Sequence, residues 1–287
     1  MDSADEIAVP RARELVLQPI YPRKRPSRVD TGGAERQEST TRFRTGSDDP
    51  FMGPRAAPRV FLQPLRRPVF TGIIEGSPAL LHLERIGTGM RLWVPAPDPQ
   101  WAVAEGESVA VLGCCLTVVH VCGPVFGQEV TPGTPGEPLP AQTPGATMVF
   151  DLSSETLDRT HFGQLQAGDR LNVERAMLLT DRLSGHLVSG HVDGGGTLVE
   201  KRDSGDGGSV YTFEVDPGLE RYLIEKGSVT LDGISLTVVE PRERRFDVAL
   251  IPVTLAATNL GTAQVGQRIN VEADLVGKWI EKLVVKP

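Results

Sequence analysis

The feature that most constrains the fold of this chain is an internal repeat. Three pairs of segments match in the same order along the sequence: 72–76 with 190–194, 108–119 with 228–239, and 156–174 with 254–272. Matches in one order and at nearly constant spacing indicate two copies of one domain. The second pair is 120 residues apart and the third is 98 apart, so the first copy carries an insertion of about 22 residues within 123–147.

The repeat divides the chain into four parts. Residues 1–68 contain nine prolines, 13 basic and nine acidic residues without hydrophobic periodicity, which is typical of a disordered extension or, alternatively, of a basic arm. We expect one domain in 69–183, a second in 184–273 and a separate C-terminal segment in 274–287. The insertion is rich in Gly and Pro, so it fits a solvated loop or, alternatively, a lid.

The composition of both copies favours strands over helices. The chain has 31 Gly, 23 Pro and only 5% aromatic residues, and residues 109–119 and 229–239 are rich in β-branched side chains. We therefore predict an all-β fold of two small barrels. One short helix is expected in each copy, in the second from Asp216 to Gly227, because aspartate followed by proline resembles a capped helix start. A last helix over 274–284 has an apolar stripe outside both repeats, which predicts an oligomer.

Charge, hydropathy and cysteine usage exclude several classes of protein. The net charge is −7 and the negative charge lies after residue 68, which disfavours a nucleic-acid-binding protein. No apolar run is long enough to predict a membrane span, and the N-terminus lacks a signal-peptide core. The three cysteines lie between Cys114 and Cys122 and do not resemble a disulfide framework, so we expect a cytoplasmic protein.

The sequence lacks the common cofactor and metal motifs. It has neither a phosphate loop nor the glycine pattern and α/β segment of a dinucleotide-binding domain, which argues against a flavin-dependent reductase. His186 and His191 are five residues apart in a predicted strand and would point to opposite faces, as would the adjacent Cys114 and Cys115. We therefore expect no bound metal and no cofactor.

Small polar side chains recur at equivalent places in the two copies. Cys115 and Thr117 share one strand face, as do Ser235 and Thr237, and we expect each pair to point into its own barrel. Such groups bind the carbonyls and ring nitrogens of a neutral heterocycle, although each residue taken singly is also common as a structural residue in strands. Two equivalent sites predict two similar ligands, as in a reaction between two identical molecules.

Five motifs in order resemble those of the riboflavin synthase family: Phe70-Thr-Gly-Ile-Ile-Glu75, Gly113-Cys-Cys-Leu-Thr117, Phe150-Asp-Leu-Ser-Ser-Glu-Thr-Leu157, Gly185-His-Leu-Val-Ser-Gly-His191 and Asp232-Gly-Ile-Ser-Leu-Thr237. The resemblance runs from Val69 to about Leu283. It implies two tandem six-stranded Greek-key barrels with a C-terminal helix, assembled as a homotrimer. It also implies a cofactor-free transferase that converts two molecules of 6,7-dimethyl-8-ribityllumazine into riboflavin and 5-amino-6-(D-ribitylamino)uracil, the last step of riboflavin biosynthesis.

The resemblance also implies which residues line the two ligand sites. In the first barrel these are Gly72, Ile73, Ile74, Cys115, Leu116, Thr117, Asp151, Leu152, Ser153, Ser154, Glu155, Thr156, Gly190, His191 and Val192. In the second barrel they are Lys226, Ser235, Leu236, Thr237, Ile251, Pro252, Val253, Thr254, Leu255 and Ala256. Phe70 is expected to pack beside the bound ring.

The implied reaction assigns roles to five side chains. It removes a proton from the 7-methyl group of one lumazine, which then attacks the other, and a four-carbon unit is transferred. His191 is expected to transfer protons, while Ser108, Cys115 and Thr117 surround the acceptor and Asp274 lies near the donor.

Three positions depart from the family pattern. Leu112 stands where many members have Asn, and Val253 replaces a Glu or His. Val69 stands where members begin with Met, which predicts that translation starts there from a GUG codon. The alternative function is a non-catalytic antenna protein of the same fold that holds lumazine or flavin. Such relatives lose polar residues in one copy, whereas this chain keeps Cys115 and Ser235, so catalysis is expected.

Overall fold

The first repeat folds into six antiparallel strands in the computed structural model, which describes residues 68–123 and 146–284. The strands are β1 His82–Ile86, β2 Gly89–Pro95, β3 Ser108–Val111, β4 Cys114–Cys122, β5 Thr147–Leu152 and β6 Val173–Arg175. They are hydrogen-bonded in the order β1-β2-β5-β4-β3-β6. The predicted extension, apart from residue 68, and nearly all of the predicted insertion lie outside the described residues.

The second repeat follows the same plan. Its strands are β7 Gly194–Asp203, β8 Ser209–Val215, β9 Ser228–Leu231, β10 Ile234–Thr237, β11 Val239–Arg242, β12 Arg245–Leu250 and β13 Arg268–Ala273, in the order β10-β9-β13-β7-β8-β12-β11. Strands β10 and β11 correspond to the single β4, whose register shifts between Val118 and His120. Counted this way, each copy has six strands, as expected for two Greek-key barrels.

Each barrel has its own apolar core. Phe150 and Phe162 are fully buried among the aliphatic side chains of the first barrel, and Phe213 and Phe246 occupy the second. Burial of one such side chain contributes roughly 1.5–3 kcal/mol, so each repeat has a core large enough for a domain. No helix among the described residues is long and apolar enough to cross a bilayer.

Two short helices follow equivalent strands, and one helix ends the described chain. Helix α1, Ser154–Arg159, follows β5, and helix α2, Pro252–Ala257, follows β12. Helix α3, Leu275–Val284, confirms the predicted C-terminal helix, and its apolar residues Trp279 and Ile280 are exposed.

The prediction of a helix from Asp216 to Gly227 is wrong. This segment contains only a 3-10 turn at Glu220–Tyr222. Gly218 has a φ of 95°, in the left-handed region, which prevents a regular α-helix from continuing past the proline. The aspartate instead accepts hydrogen bonds from the Gly195 N–H and the Arg268 guanidinium.

The two barrels contact each other through two tight hairpin turns. Leu112-Gly113 joins β3 to β4 and Asp232-Gly233 joins β9 to β10, and all four residues have positive φ, as in a two-residue hairpin turn. A Cβ atom added to Gly113 would lie 2.6 Å from the backbone nitrogen of Gly233. The backbones of the two turns are therefore in direct contact, and neither glycine has room for a side chain.

A buried polar network surrounds this contact. The Asp232 carboxylate accepts hydrogen bonds from His161 Nε2 at 2.9 Å, Asn259 Nδ2 at 2.8 Å and the Asn270 N–H at 2.7 Å. The Asn172 side chain donates to the Asp232 carbonyl at 2.9 Å. Burial disfavours protonation of the His161 ring, but the adjacent carboxylate outweighs it and raises the pKa of His161.

Candidate functional site

The segment that opens each repeat crosses to the barrel of the other repeat. We call these the 70–74 segment and the 188–192 segment. They pair at their first residues, where the Phe70 N–H donates to the Val188 carbonyl at 2.8 Å and the Val188 N–H donates to the Phe70 carbonyl at 3.1 Å. Beyond this antiparallel bridge the two segments diverge toward opposite barrels.

Each segment then binds the hairpin of the other repeat. The Ser235 N–H donates to the Gly72 carbonyl at 2.8 Å, and the Cys115 N–H donates to the Gly190 carbonyl at 2.7 Å. Gly72 and Gly190 have φ values of 74° and 75°, and an added Cβ atom would lie 2.6 Å from the Cβ of Ser235 or of Cys115, respectively. Glycine is required at both positions, because both the backbone angle and the close approach exclude a side chain.

A buried carboxylate anchors each segment. Glu174 Oε1 accepts hydrogen bonds from the Thr71 N–H and hydroxyl, both at 2.7 Å, and Oε2 accepts one from the Gly72 N–H at 3.0 Å. Glu272 binds residues 189–190 in the same way. Burial raises the pKa of Glu174 to about 7, although its three donors oppose the shift. Burial also raises the pKa of Glu272.

The surroundings of Cys115 in the first barrel are largely apolar. Its side chain packs against Phe70, Ala110 and Val188. Burial raises the pKa of the Cys115 thiol, while the Ser108 hydroxyl opposes this shift by hydrogen bonding. The predicted neighbours Phe70, Ser108 and Cys115 are thus brought together, and the thiol is neutral at physiological pH.

The polar side chains face away from the barrel cores, contrary to expectation. Cys115 and Thr117 do share one face of β4, but Cys114, Leu116 and Val118 on the opposite face fill the core. The outward face is the one that meets the 188–192 segment. Leu116 is buried, so it can offer a ligand only its backbone, and the same holds for Leu152 at the end of β5.

His191 and Val192 continue from the contact with Cys115. His191 is exposed and its N–H donates to the Ser189 hydroxyl at 3.3 Å, while Val192 packs on the core of the first barrel. The structure thus places Gly190 against Cys115, and His191 and Val192 follow directly along the same segment.

Helix α1 begins at the same edge of the first barrel. Val118 pairs with Phe150 across β4 and β5, one position before Asp151. Asp151 forms a two-bond ion pair with Arg91, at 2.5 and 2.8 Å, which lowers the pKa of this carboxyl. The exposed residues Ser153, Ser154 and Glu155 and the half-buried Thr156 follow, and the Ser153 hydroxyl accepts the Thr156 N–H to cap the helix.

The surroundings of Ser235 in the second barrel are polar. The Ser235 hydroxyl lies 2.7 Å from His186 Nδ1, and His186 Nε2 lies 3.2 Å from the Thr230 hydroxyl. Burial lowers the pKa of His186, and the negative charge of the nearby Asp274 opposes the shift. His186 is therefore held in one orientation next to Ser235, and the charge of Asp274 is felt at this histidine.

Two expectations about this region are corrected. Gly72, Ile73 and Ile74 were assigned to the first barrel, but Gly72 contacts Ser235 and Ile74 packs on the core of the second barrel. Residues 186–191 do not form a continuous strand, since only Val188 makes a β-bridge there. His186 and His191 thus diverge to different barrels.

His186 was not among the predicted site residues, although it lies against Ser235. Its repeat equivalent is Pro68, so the comparison of the two copies carried no signal for it. The one signal for it in the sequence is its position in the motif Gly185-His-Leu-Val-Ser-Gly-His191.

Helix α2 borders the second barrel as α1 borders the first. Ile251 and Val253 are exposed, whereas Leu255 packs on the barrel core, as does Leu236 on β10. Thr237 is exposed at the end of β10. Lys226 is exposed before β9, with a φ of 63° and its Nζ 3.8 Å from Glu225. The second site therefore combines Ser235 and His186 with an exposed apolar rim.

A cavity of about 460 Å³ lies elsewhere, beside the contact between the hairpin turns. Its lining includes His161, Arg268 and Asn259 but none of the predicted site residues. His161 is paired with Asp232 and Arg268 with Asp216, so these charges are already neutralised. The chemistry points instead to the two crossing segments.

Comparisons with known proteins agree with the repeat and with the fold. The family model described as "Lumazine binding domain" matches residues 71–176 and 189–274. A riboflavin synthase from Mycobacterium bovis is 39% identical over 75% of this chain and 98% of its own length, and one from Actinobacillus pleuropneumoniae is 37% identical over 76% and 91%.

A solved structure shows the same fold at low sequence identity. The chain is similar to LumP in its complex with riboflavin, with a TM-score of 0.57 and 19% identity over 71% of this chain and 98% of that one. The fold is shared, and the two family-model matches coincide with the two barrels that exchange their opening segments. With relatives of this identity and coverage, the chain belongs to the riboflavin synthase family.

Proposed function

We propose that this protein is a transferase that converts two molecules of 6,7-dimethyl-8-ribityllumazine into riboflavin and 5-amino-6-(D-ribitylamino)uracil. The observation that carries the proposal is the pair of equivalent sites, each formed where a crossing segment meets the hairpin of the other repeat. Two such sites suit a reaction between two identical molecules. Family membership supplies the identity of the substrate.

The groups at both sites suit a neutral heterocycle. Backbone groups of the crossing segments, the hydroxyls of Thr117 and Thr237, and Cys115 or Ser235 offer uncharged donors and acceptors. Exposed apolar side chains such as Ile73 and Val253 provide a surface for a flat ring. We assign the sets given above to the two ligands, with Gly72, Ile73 and Ile74 moved to the second.

The proposed roles follow this division. His191, Ser108, Cys115 and Thr117 act on the acceptor at the first barrel, and Asp274 acts near the donor at the second. His186 is added to the second group because it is held against Ser235 and its lowered pKa leaves it able to accept a proton.

We further propose a cytoplasmic homotrimer in which the first barrel of one subunit faces the second barrel of its neighbour. Both sites are open at the surface of one chain, so a neighbour is needed to bring two ligands together. The exposed apolar residues of α3, Val276, Trp279, Ile280, Leu283 and Val284, support a helix that packs against other subunits. Three free cysteines fit a reducing compartment.

The test is turnover without added metal or cofactor. The purified protein is incubated with 6,7-dimethyl-8-ribityllumazine and riboflavin is followed by chromatography. We expect one riboflavin for every two lumazines consumed. A His191→Ala variant should lose most of the rate, whereas His120→Ala, an exposed histidine bonded to Glu105, should keep it. Tight binding without any product would favour the antenna function. Leu112 and Val253 would then be the first positions to change to the residues common in the family.

A further inference from the structure

We propose that Glu174 and Glu272 are positioning residues, and that each controls the ligand site of the barrel to which it does not belong. Glu174, on the first barrel, sets the position of the 70–74 segment at the second site, and Glu272, on the second barrel, sets that of the 188–192 segment at the first. The inference rests on the proposed function, because it concerns the same two sites.

Each carboxylate accepts several hydrogen bonds from one crossing segment. Glu174 accepts three hydrogen bonds, two from Thr71 and one from Gly72, within a stretch of two residues. The Thr71 hydroxyl also accepts the Ile73 N–H at 3.2 Å. The carboxylate thus organises the donors on both sides of the glycine that meets Ser235.

The same arrangement recurs at Glu272. It accepts the Ser189 N–H and hydroxyl at 2.8 and 2.7 Å and the Gly190 N–H at 2.9 Å. The Ser189 hydroxyl in turn accepts the His191 N–H. The same arrangement in both copies of the domain indicates that it belongs to the fold and is not an isolated contact.

The hydrogen bonds of each carboxylate lead directly to the hairpin of the opposite barrel. Gly72 donates its N–H to Glu174, and its carbonyl accepts the N–H of Ser235. Likewise, Gly190 donates its N–H to Glu272, and its carbonyl accepts the N–H of Cys115. A single glycine residue therefore links each carboxylate to the strand that carries the other repeat's thiol or hydroxyl.

A carboxylate and an amide differ at these positions in the hydrogen bonds that they can accept. Above its raised pKa of about 7, the Glu174 carboxylate is ionised and only accepts hydrogen bonds, so all three of its donors are satisfied at the alkaline pH used for thiol alkylation. Glutamine has nearly the same shape, but one of its ends is an NH₂ group, which would face another donor. Since Glu174 and Glu272 are 4% and 2% exposed, water cannot replace the lost acceptor. A glutamine variant therefore loosens the segment while it preserves the packing.

The test measures the two sites separately by thiol alkylation. Burial raises the pKa of Cys114 to about 12, and Cys122 is buried, so Cys115 is the native thiol expected to report on its surroundings. A Ser235→Cys variant places an equivalent probe at the second site. Alkylation rates with iodoacetamide are measured for each thiol by peptide mass spectrometry, in the otherwise native protein and in the two glutamine variants.

The expected result is crossed. Glu272→Gln should speed alkylation of Cys115 by threefold or more and leave the probe at position 235 unchanged. Glu174→Gln should do the reverse. If a glutamine variant does not fold, the milder variants Ser189→Ala and Thr71→Ala, which each remove one donor, take its place. They should give the same crossed pattern with smaller changes in alkylation rate.

Equal acceleration of both thiols by either variant would show a merely structural role and overturn the proposal, as would no change at either thiol. The readout needs no substrate and no turnover. A crossed pattern in a protein that makes no riboflavin would therefore support the positioning role while it contradicts the proposed function, and the two failures remain distinguishable.

Discussion

In the first barrel the side chain at the crossing point is Cys115, packed against Phe70, Ala110 and Val188, whereas in the second it is Ser235, hydrogen-bonded to His186. The backbone geometry is nearly the same, with N–H to carbonyl distances of 2.7 and 2.8 Å. The difference teaches how one domain, used twice, can treat two identical ligands differently. In the proposed reaction, a ring beside the neutral thiol and phenyl groups and a ring beside the imidazole and hydroxyl would differ in acidity, which would separate the donor from the acceptor.

The hairpin turns that join the barrels differ in a similar way. The first turn has Leu112 and the second has Asp232 at the same positive φ of 45°. Aspartate tolerates this angle, while a leucine there is strained. Leu112 packs in the first core, and Asp232 instead binds three donors.

The largest expected effect comes from making the second turn like the first. Asp232→Leu leaves the His161 ring, the Asn259 amide and the Asn270 N–H without their acceptor in a buried site. We expect a loss of about 4 kcal/mol in the free energy of unfolding, measured with urea. Asp158→Leu, at an exposed aspartate on α1, serves as control. A loss below about 1 kcal/mol would contradict the importance of the network.

A second prediction separates the crossing segments from ordinary glycine turns. Gly190→Ala brings a Cβ to 2.6 Å from that of Cys115 and strains a φ of 75°. We expect a loss of about 3 kcal/mol and at least tenfold slower turnover. Gly168→Ala is the matched control, because its φ is 95° but no atom lies within 4 Å of the added Cβ. It should cost about 1 kcal/mol and leave turnover unchanged. Equal losses of stability from the two variants would mean that the backbone angle, and not the contact with Cys115, determines the need for glycine at position 190.

A third prediction compares the two anchoring carboxylates by pH. Because the pKa of Glu174 is raised to about 7, the folded chain holds a proton that the unfolded chain has released above about pH 5. Stability should therefore fall as the pH rises from 5 to 8, by about 2 kcal/mol from this group.

Glu174→Gln should remove this part of the slope, measured as unfolding free energy at several pH values. Glu272→Gln should remove less. The neighbouring Glu75 raises the pKa of Glu174 further, whereas Lys278 opposes the upward shift at Glu272, with Asp193 acting weakly the other way. An unchanged slope in Glu174→Gln would exclude the ionisation of this carboxyl in that range.

The smallest expected effect distinguishes the two crossing points themselves. Ser235→Ala leaves His186 Nδ1 without its partner and should cost about 1.5 kcal/mol in thermal or urea unfolding. Cys115→Ala, in largely apolar surroundings, should cost about half as much. If the order were reversed, the polar and apolar assignment of the two sites would be incorrect.

Much of the architecture could be read from local patterns. The repeat, the strand-rich composition and the apolar stripe of α3 predicted two β-barrels and a C-terminal helix. The alternation on β4 predicted that Cys115 and Thr117 share a face. The helix predicted from Asp216 is absent, because the Asp216 carboxylate does not cap a helix but accepts hydrogen bonds from Gly195 and Arg268. The family resemblance assigned Gly72, Ile73 and Ile74 to the first barrel, whereas the structure places Gly72 and Ile74 against the second.

The sequence by itself determined that there are two copies of one domain and two equivalent sets of polar residues, because periodicity and spacing are properties of the chain. Only the tertiary structure decided which set meets which segment. Gly72 and Ser235 are brought together by a crossing that no local pattern records, since its energy comes from contacts between residues far apart in the chain. The same contacts bring His186 to Ser235 and leave His191 at the other barrel.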